Sequence, residues 1–159
     1  MAGMKALSLY QPYAQFMAYG YKGIETRPWE TSYRGPLAIA AAKKRDFGEE
    51  LQAVCDVAVA LGMTPIELYD IIGYPDDWPR GAIVCTVDLF NILPTALFAH
   101  GGVCRITPAE RAAGNYGPDR FAWVTCNLKR LPTPIPIIGR QKLFNLPADI
   151  IDQLERQAA

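Results

Sequence analysis

An α+β fold, a small mixed β-barrel with inserted and flanking helices, is what this sequence predicts, and three observations carry that reading. Short runs with strand character recur at Lys5–Tyr10, Leu37–Ala42, Gly81–Phe90 and Phe121–Leu128, separated by irregular loops. Helical periodicity is confined to segments lying between the first and later strands and at the C-terminal end. At 159 residues, 50% apolar and 20% charged, the chain has ordinary globular composition and the size of one domain, residues 1–159, with a core large enough to need neither disulfide nor metal.

The elements follow in order. Lys5-Ala-Leu-Ser-Leu-Tyr10 opens as a strand, and Gln11-Pro12 starts an uncharged helix, since proline fits the first helical turn; Tyr13, Phe16, Met17 and Tyr19 recur at helical spacing until Gly20 stops it. Tyr21–Trp29 reads as extended, and Tyr33–Pro36 as a turn before the apolar strand Leu37–Ala42. Asp46 is the expected N-cap of the next helix, with Glu49 as the acid of a capping box. Leu51, Val54, Cys55, Val57, Ala58 and Leu61 form its inner face, and Gly62 ends it. A shorter helix begins at Thr64-Pro65 with Glu67 in its first turn and runs to Gly73.

Beyond the Pro- and Asp-rich loop Tyr74–Arg80 comes a central strand, Gly81–Phe90, then a weakly patterned stretch with one short helix at Thr107–Glu110. Phe121–Leu128 alternates as a strand, Pro132–Pro136 must be extended, and a last strand at Lys142–Leu146 precedes a helix over Pro147–Gln157. Trp123 is expected in the core; Trp29 and Trp78, on loops beside charge, are expected at a rim.

Charge and cysteine usage bound the function. Sixteen basic residues balance sixteen acidic ones, which argues against a protein that coats nucleic acid by bulk electrostatics. The charges are nonetheless segregated: Lys22–Asp46 and Arg105–Lys142 are net basic, and Glu49–Asp88 is strongly acidic. Either the basic segments fold side by side into one positive face or the acidic middle neutralises them; the sequence leaves both open. Cys55, Cys85, Cys104 and Cys126 have no CxxC spacing and a single His100 as helper, so no metal site is expected. Cys55, Cys85 and Cys126 read as small buried thiols of a reducing compartment. Without a leader-like start or an apolar run of about 18 residues, the expectation is a cytoplasmic protein with no membrane partner.

The densest polar cluster is Gly20-Tyr21-Lys22-Gly23-Ile24-Glu25-Thr26-Arg27. In an extended chain Glu25 and Arg27 share one side and Ile24 and Thr26 the other, so a Glu–Arg pair is expected on an open face. Lys22 close to Glu25 in a partly dry cleft keeps both groups ionised; taken alone, such a trio reads first as an ion-pair brace for a barrel.

These residues resemble the ASCH domain family. The resemblance rests on Leu7–Ala14, the Gly20-x-Lys22-x-x-Glu25-x-Arg27 motif, Arg34-Gly35-Pro36, Gly81–Val84, Phe121–Trp123 and Pro134-Ile-Pro136-x-x-Gly139. It covers about Leu7 to Leu146, and Leu61–Pro65 is similar to the EOLA-type branch. It implies a PUA-like barrel with a cleft at its mouth, in a superfamily generally connected with RNA, and no cofactor. The implied partner is RNA or a modified nucleoside. Lys22 and Arg27 then hold a phosphate or base edge, Glu25 accepts from an exocyclic amine, and Tyr13, Trp29 or Tyr116 offers a stacking face. Lys43 and Arg140 are further candidates for ligand contact, with Lys142 returning toward the first strand beside Arg140.

Related amidohydrolases that deacetylate N(4)-acetylcytidine imply an enzymatic alternative with Lys22, Glu25 and Thr26 as the catalytic candidates. Glu25 stands where those enzymes have Thr, Thr26 is displaced by one residue, and their distant Glu has no secure counterpart. Glu25 would then activate water while Lys22 or Arg27 stabilises the oxyanion. A third reading is a non-catalytic scaffold that uses the Pro-rich Leu131–Ile138 segment and the acidic helix.

Overall fold

The computed structural model describes residues 3–159. Strand β1 (Lys5–Leu9) leads through helix α1 (Tyr13–Ala18) to the edge strand β2 (Ile24–Arg27) and then to β3 (Gly35–Ala41). Helices α2 (Phe47–Leu61) and α3 (Pro65–Ile72) form a side lobe before the long strand β4 (Ala82–Pro94). Helix α4 (Pro108–Ala112) precedes β5 (Phe121–Pro136), and β6 (Phe144–Asn145) and α5 (Ala148–Ala158) complete the chain.

Six strands pair in the order β2-β5-β4-β3-β1-β6, parallel only between β1 and β3, where Lys5 faces Leu37 and Leu9 faces Ala41. The register slips once between β3 and β4 and three times between β4 and β5. Each slip bends and twists the strands further. The sheet therefore curls until the inner face of β2 lies across from β1, where Arg27 Nη2 donates to the carbonyl of Ser8 at 2.8 Å. This is the PUA-like barrel that the resemblance implies.

Its interior is filled by Leu7, Leu9, Met17, Ile39, Leu89 and Trp123, with the uncharged helix α1 packed into it. The helical lobe packs Val54, Val57, Leu68 and Ile72 against Phe16. At the far end α5 covers Ala6, Ile83, Ile135 and Phe144 with Ile150 and Leu154. Among the described residues no single helix is long and apolar enough to cross a membrane.

Several local expectations are corrected. Phe121–Leu128 and the Pro-rich stretch are one strand, because the ladder to β4 jumps from Ile135 to Arg130 and leaves the prolines at 132 and 134 unpaired. Asp46 caps α2 as expected, accepting from Glu49 N at 3.1 Å, but the acid that returns to the Asp46 amide is Glu50. Glu50 turns inward with Ala53 and Val54, rotating Leu51 out to 53% exposure. At Thr64 and Glu67 the reciprocal box forms. Trp78 lies buried in the helical lobe, its indole N–H donating to Gly73 O at 2.8 Å, and belongs to no rim. Cys126 is exposed, on the bare outer face of β5, whereas Cys85 is fully buried. Burial pushes the Cys85 thiol up to about 12, so it stays protonated and inert.

Candidate functional site

Strand alternation sorts the motif. Ile24 and Thr26 turn outward beneath the segment that carries Phe98, while Glu25 and Arg27 turn into the barrel mouth. Lys22 precedes them in the turn that ends α1. Gly20 takes a left-handed φ of 81°, and the amides of Tyr21 and Lys22 both donate to the carbonyl of Phe16, which swings Lys22 inward.

The three charges form one chain of contacts. Lys22 Nζ lies 3.3 Å from Glu25 Oε1, donates to Ala113 O at 2.7 Å and sits 5.7 Å from the Tyr13 ring centroid. Glu25 Oε1 also accepts from Thr26 N at 3.0 Å, and Oε2 accepts from Arg27 Nε and Nη2 at 3.2 and 3.0 Å. Burial acts to raise the Glu25 pKa. Lys22, Arg27 and the Thr26 amide outweigh it and hold the carboxyl below its ordinary value, so Glu25 is a fixed anion at neutral pH.

A cavity of 670 Å³ opens beside this chain. Of the residues expected at the site, Tyr13, Glu25, Thr26, Arg27, Trp29 and Arg140 line it, together with Lys142. Trp29 stands edge-on to the core residue Trp123 at 4.8 Å, with Lys142 Nζ 5.8 Å from its ring centroid. Thr26 is largely buried, its carbonyl and hydroxyl accepting from Arg120 Nη2 at 3.0 and 3.4 Å.

Three expected residues stand elsewhere. Lys22 lies behind Glu25 with its side chain 1% exposed, so it braces the wall without reaching the cleft. Tyr116 packs on Phe98 outside β2, its hydroxyl buried and without a partner among the described residues, and burial raises its pKa. It therefore offers the cleft no stacking face. Lys43 lines an adjoining hollow instead.

Arg120, Ser8, Tyr10 and Asn115 also line the cleft and were not singled out by the sequence. Among the described residues Arg120, Arg140 and Lys142 have no carboxylate partner at ion-pair distance, so the second basic segment supplies a positive rim beside Arg27 of the first. Glu110 was missed in a different way. Its first-turn position marks a helix start, yet its carboxylate accepts from the amides of Gly23 and Ile24 at 2.8 and 2.9 Å and clamps the backbone between Lys22 and Glu25. Burial outweighs these two bonds and the Lys22 charge and raises its pKa. No group of three or more His, Cys, Asp or Glu side chains converges as a metal site among the described residues.

A curled six-stranded barrel with this motif at its mouth defines the class. Residues 7–131 match the model of the ASCH domain, and the chain belongs to that family. It is 27% identical over 144 residues to activating signal cointegrator 1 of Mus musculus and 26% identical to the Homo sapiens protein of the same name. Each match covers 91% of this chain and 22% of the relative. The chain thus spans about a fifth of the length of the curated relatives it matches. Among solved structures it is similar to ASCH from Zymomonas mobilis, with a TM-score of 0.55 and 13% identity over 97% of this chain and 94% of that one. A mutant of the same bacterial protein gives a TM-score of 0.54 at 11% identity over 98% of both chains. At such identities the likeness is one of fold.

Proposed function

We propose that the mouth of the barrel binds RNA through one unstacked base and its flanking phosphate. The observation that carries this reading is a carboxylate, alone among the described residues lining the cavity, held ionised by a sealed ammonium and a guanidinium and otherwise rimmed by cations without an acidic partner among the described residues and by aromatic rings. Glu25 accepts from an exocyclic amine, Trp29 or Tyr13 offers a face, and Arg120, Arg140 and Lys142 attract the backbone. Arg27 Nη1, without a partner among the described residues, keeps donors for a base carbonyl or ring nitrogen. The volume suits a small polar ligand, within the roughly 300–1,000 Å³ of such sites. The general association of ASCH domains with RNA supports the same reading.

Hydrolysis of an acylated cytidine is the second reading of the same cleft. It requires Glu25 to take a proton from water, yet both carboxylate oxygens are engaged by cations and the pKa is lowered, which makes a weak base. Thr26 is a poor nucleophile for a related reason, since it faces away from Lys22 and Glu25 and its hydroxyl is held beside Arg120. Binding is therefore favoured over turnover.

Fluorescence anisotropy with short single-stranded RNA, run beside an acetate-release assay on N(4)-acetylcytidine, tests both. The expected result is RNA affinity that falls with salt and is lost in Arg27→Ala, without acetate release. Acetate released by the unaltered protein and abolished in Glu25→Gln would establish the enzyme instead, and no RNA affinity even at low salt would sink the binding reading.

A further inference from the structure

The cleft does not end at Arg140. A second hollow of 440 Å³ adjoins it and shares Ser8, Ala42, Arg140 and Gln141 with it. Lys43 and Arg140 are the charged side chains in its lining, no carboxylate is among them, and its walls are apolar, with Ile138 81% exposed on the rim.

Two details shape this junction. Gly81 has a left-handed φ of 62°, and a Cβ there would come within 2.7 Å of Lys43 Cε. The bare backbone at 81 is what lets the Lys43 stem lie flat along the hollow. Ser8 Oγ is buried with no hydrogen-bond partner among the described residues, beneath a Gly139 whose Cβ would stand 3.0 Å from it. A buried hydroxyl without a partner calls for explanation, and this one sits where the two hollows meet.

We propose that the two hollows are consecutive nucleotide subsites, so that the ligand is a single-stranded RNA segment of at least two nucleotides. The linking phosphodiester lies at Arg140 and Lys43, where the two hollows meet. This rests on the RNA reading above and deepens it: a free nucleoside has no phosphodiester and leaves the junction empty. Two joined concave hollows admit a single strand, whereas a duplex keeps its bases stacked inside.

The test titrates the whole chain with each of the four nucleoside 5′-monophosphates and with the matching dinucleotides and trinucleotides, at several salt concentrations. The dinucleotide is expected to bind about tenfold more tightly than the monophosphate, and the slope of log affinity against log salt to steepen by about 0.7 for the added phosphate. Lys43→Ala is expected to remove most of that gain. Equal affinity for monophosphate and dinucleotide, with RNA binding intact, would overturn the second subsite and spare the cleft. A gain that survives Lys43→Ala would overturn the placement of the phosphodiester. No binding of any length would overturn both readings.

Discussion

Two glutamate–arginine pairs, one built on a buried carboxylate and one half-buried, stand in different regions and do different work. In the helical lobe Glu50 is 2% exposed, pairs with Arg80 and accepts from the Asp46 amide. At the barrel mouth Glu25 pairs with Arg27 and Lys22. Only the second is legible in sequence, since Glu50 and Arg80 stand 30 residues apart. The distinction is the space beside them: the first pair closes over α2 and α3, while the second forms the wall of a cavity whose other cations have no acid to answer them among the described residues. A salt bridge becomes a recognition element when part of its field is left for a ligand.

Substitutions can break this comparison from either side. The largest stability loss is expected for Arg80→Met, which leaves Glu50 buried without its cation. Unfolding in urea should show a loss of about 3–5 kcal/mol, with RNA affinity unchanged. Lys22→Met removes the donor to Ala113 O and one partner of Glu25, and should cost about 1–3 kcal/mol by the same measurement. It should also weaken RNA binding, because Glu25 loses one of its two cations. Lys142→Ala should change stability by less than about 0.5 kcal/mol, since its exposed side chain has only a cation–π contact with Trp29 among the described residues. RNA titrations of that variant should show a several-fold loss of affinity and a salt slope shallower by about 0.7. A large stability loss in Lys142→Ala, or unchanged RNA affinity, would erase the contrast between brace and site.

The smallest effect concerns acid. The folded pKa of Glu25 is below its ordinary value of 4.5, so its ion pairs contribute stability that is present above that value and fades as pH falls through the lowered one. Thermal unfolding followed from pH 6 downward should show this loss in the parent chain and a shallower one in Glu25→Gln. Glu110 runs the other way. Its raised pKa means that the contribution of its neutral form is complete below the ordinary value and lost as pH rises through the raised one.

How far the site was legible depended on sequence distance. Glu25 and Arg27 could be placed on one face because a strand repeats every two residues, and their contact needs nothing from the rest of the chain. Lys22 was harder. Its proximity to Glu25 was legible, but its burial was not, since that follows from Ala113 O, 91 residues away. Tyr116, a stacking face by resemblance to the family, lies on the opposite side of β2. Glu110 carried a local signal that its capping position fully explained, which hid its bonds to Gly23 and Ile24.

Local periodicity and turn chemistry determined the strands, the capped starts of α2 and α3, the uncharged α1 and the alternation within the motif, because each depends on neighbours a few residues apart. The curl of the sheet, the sealing of Lys22, the meeting of Arg27 with Arg120 and Arg140, and the cavity between them were decided by tertiary structure alone. They depend on where the register slips between β4 and β5 and on which remote segments that bend brings together, and no local pattern encodes the distance between residues a hundred positions apart.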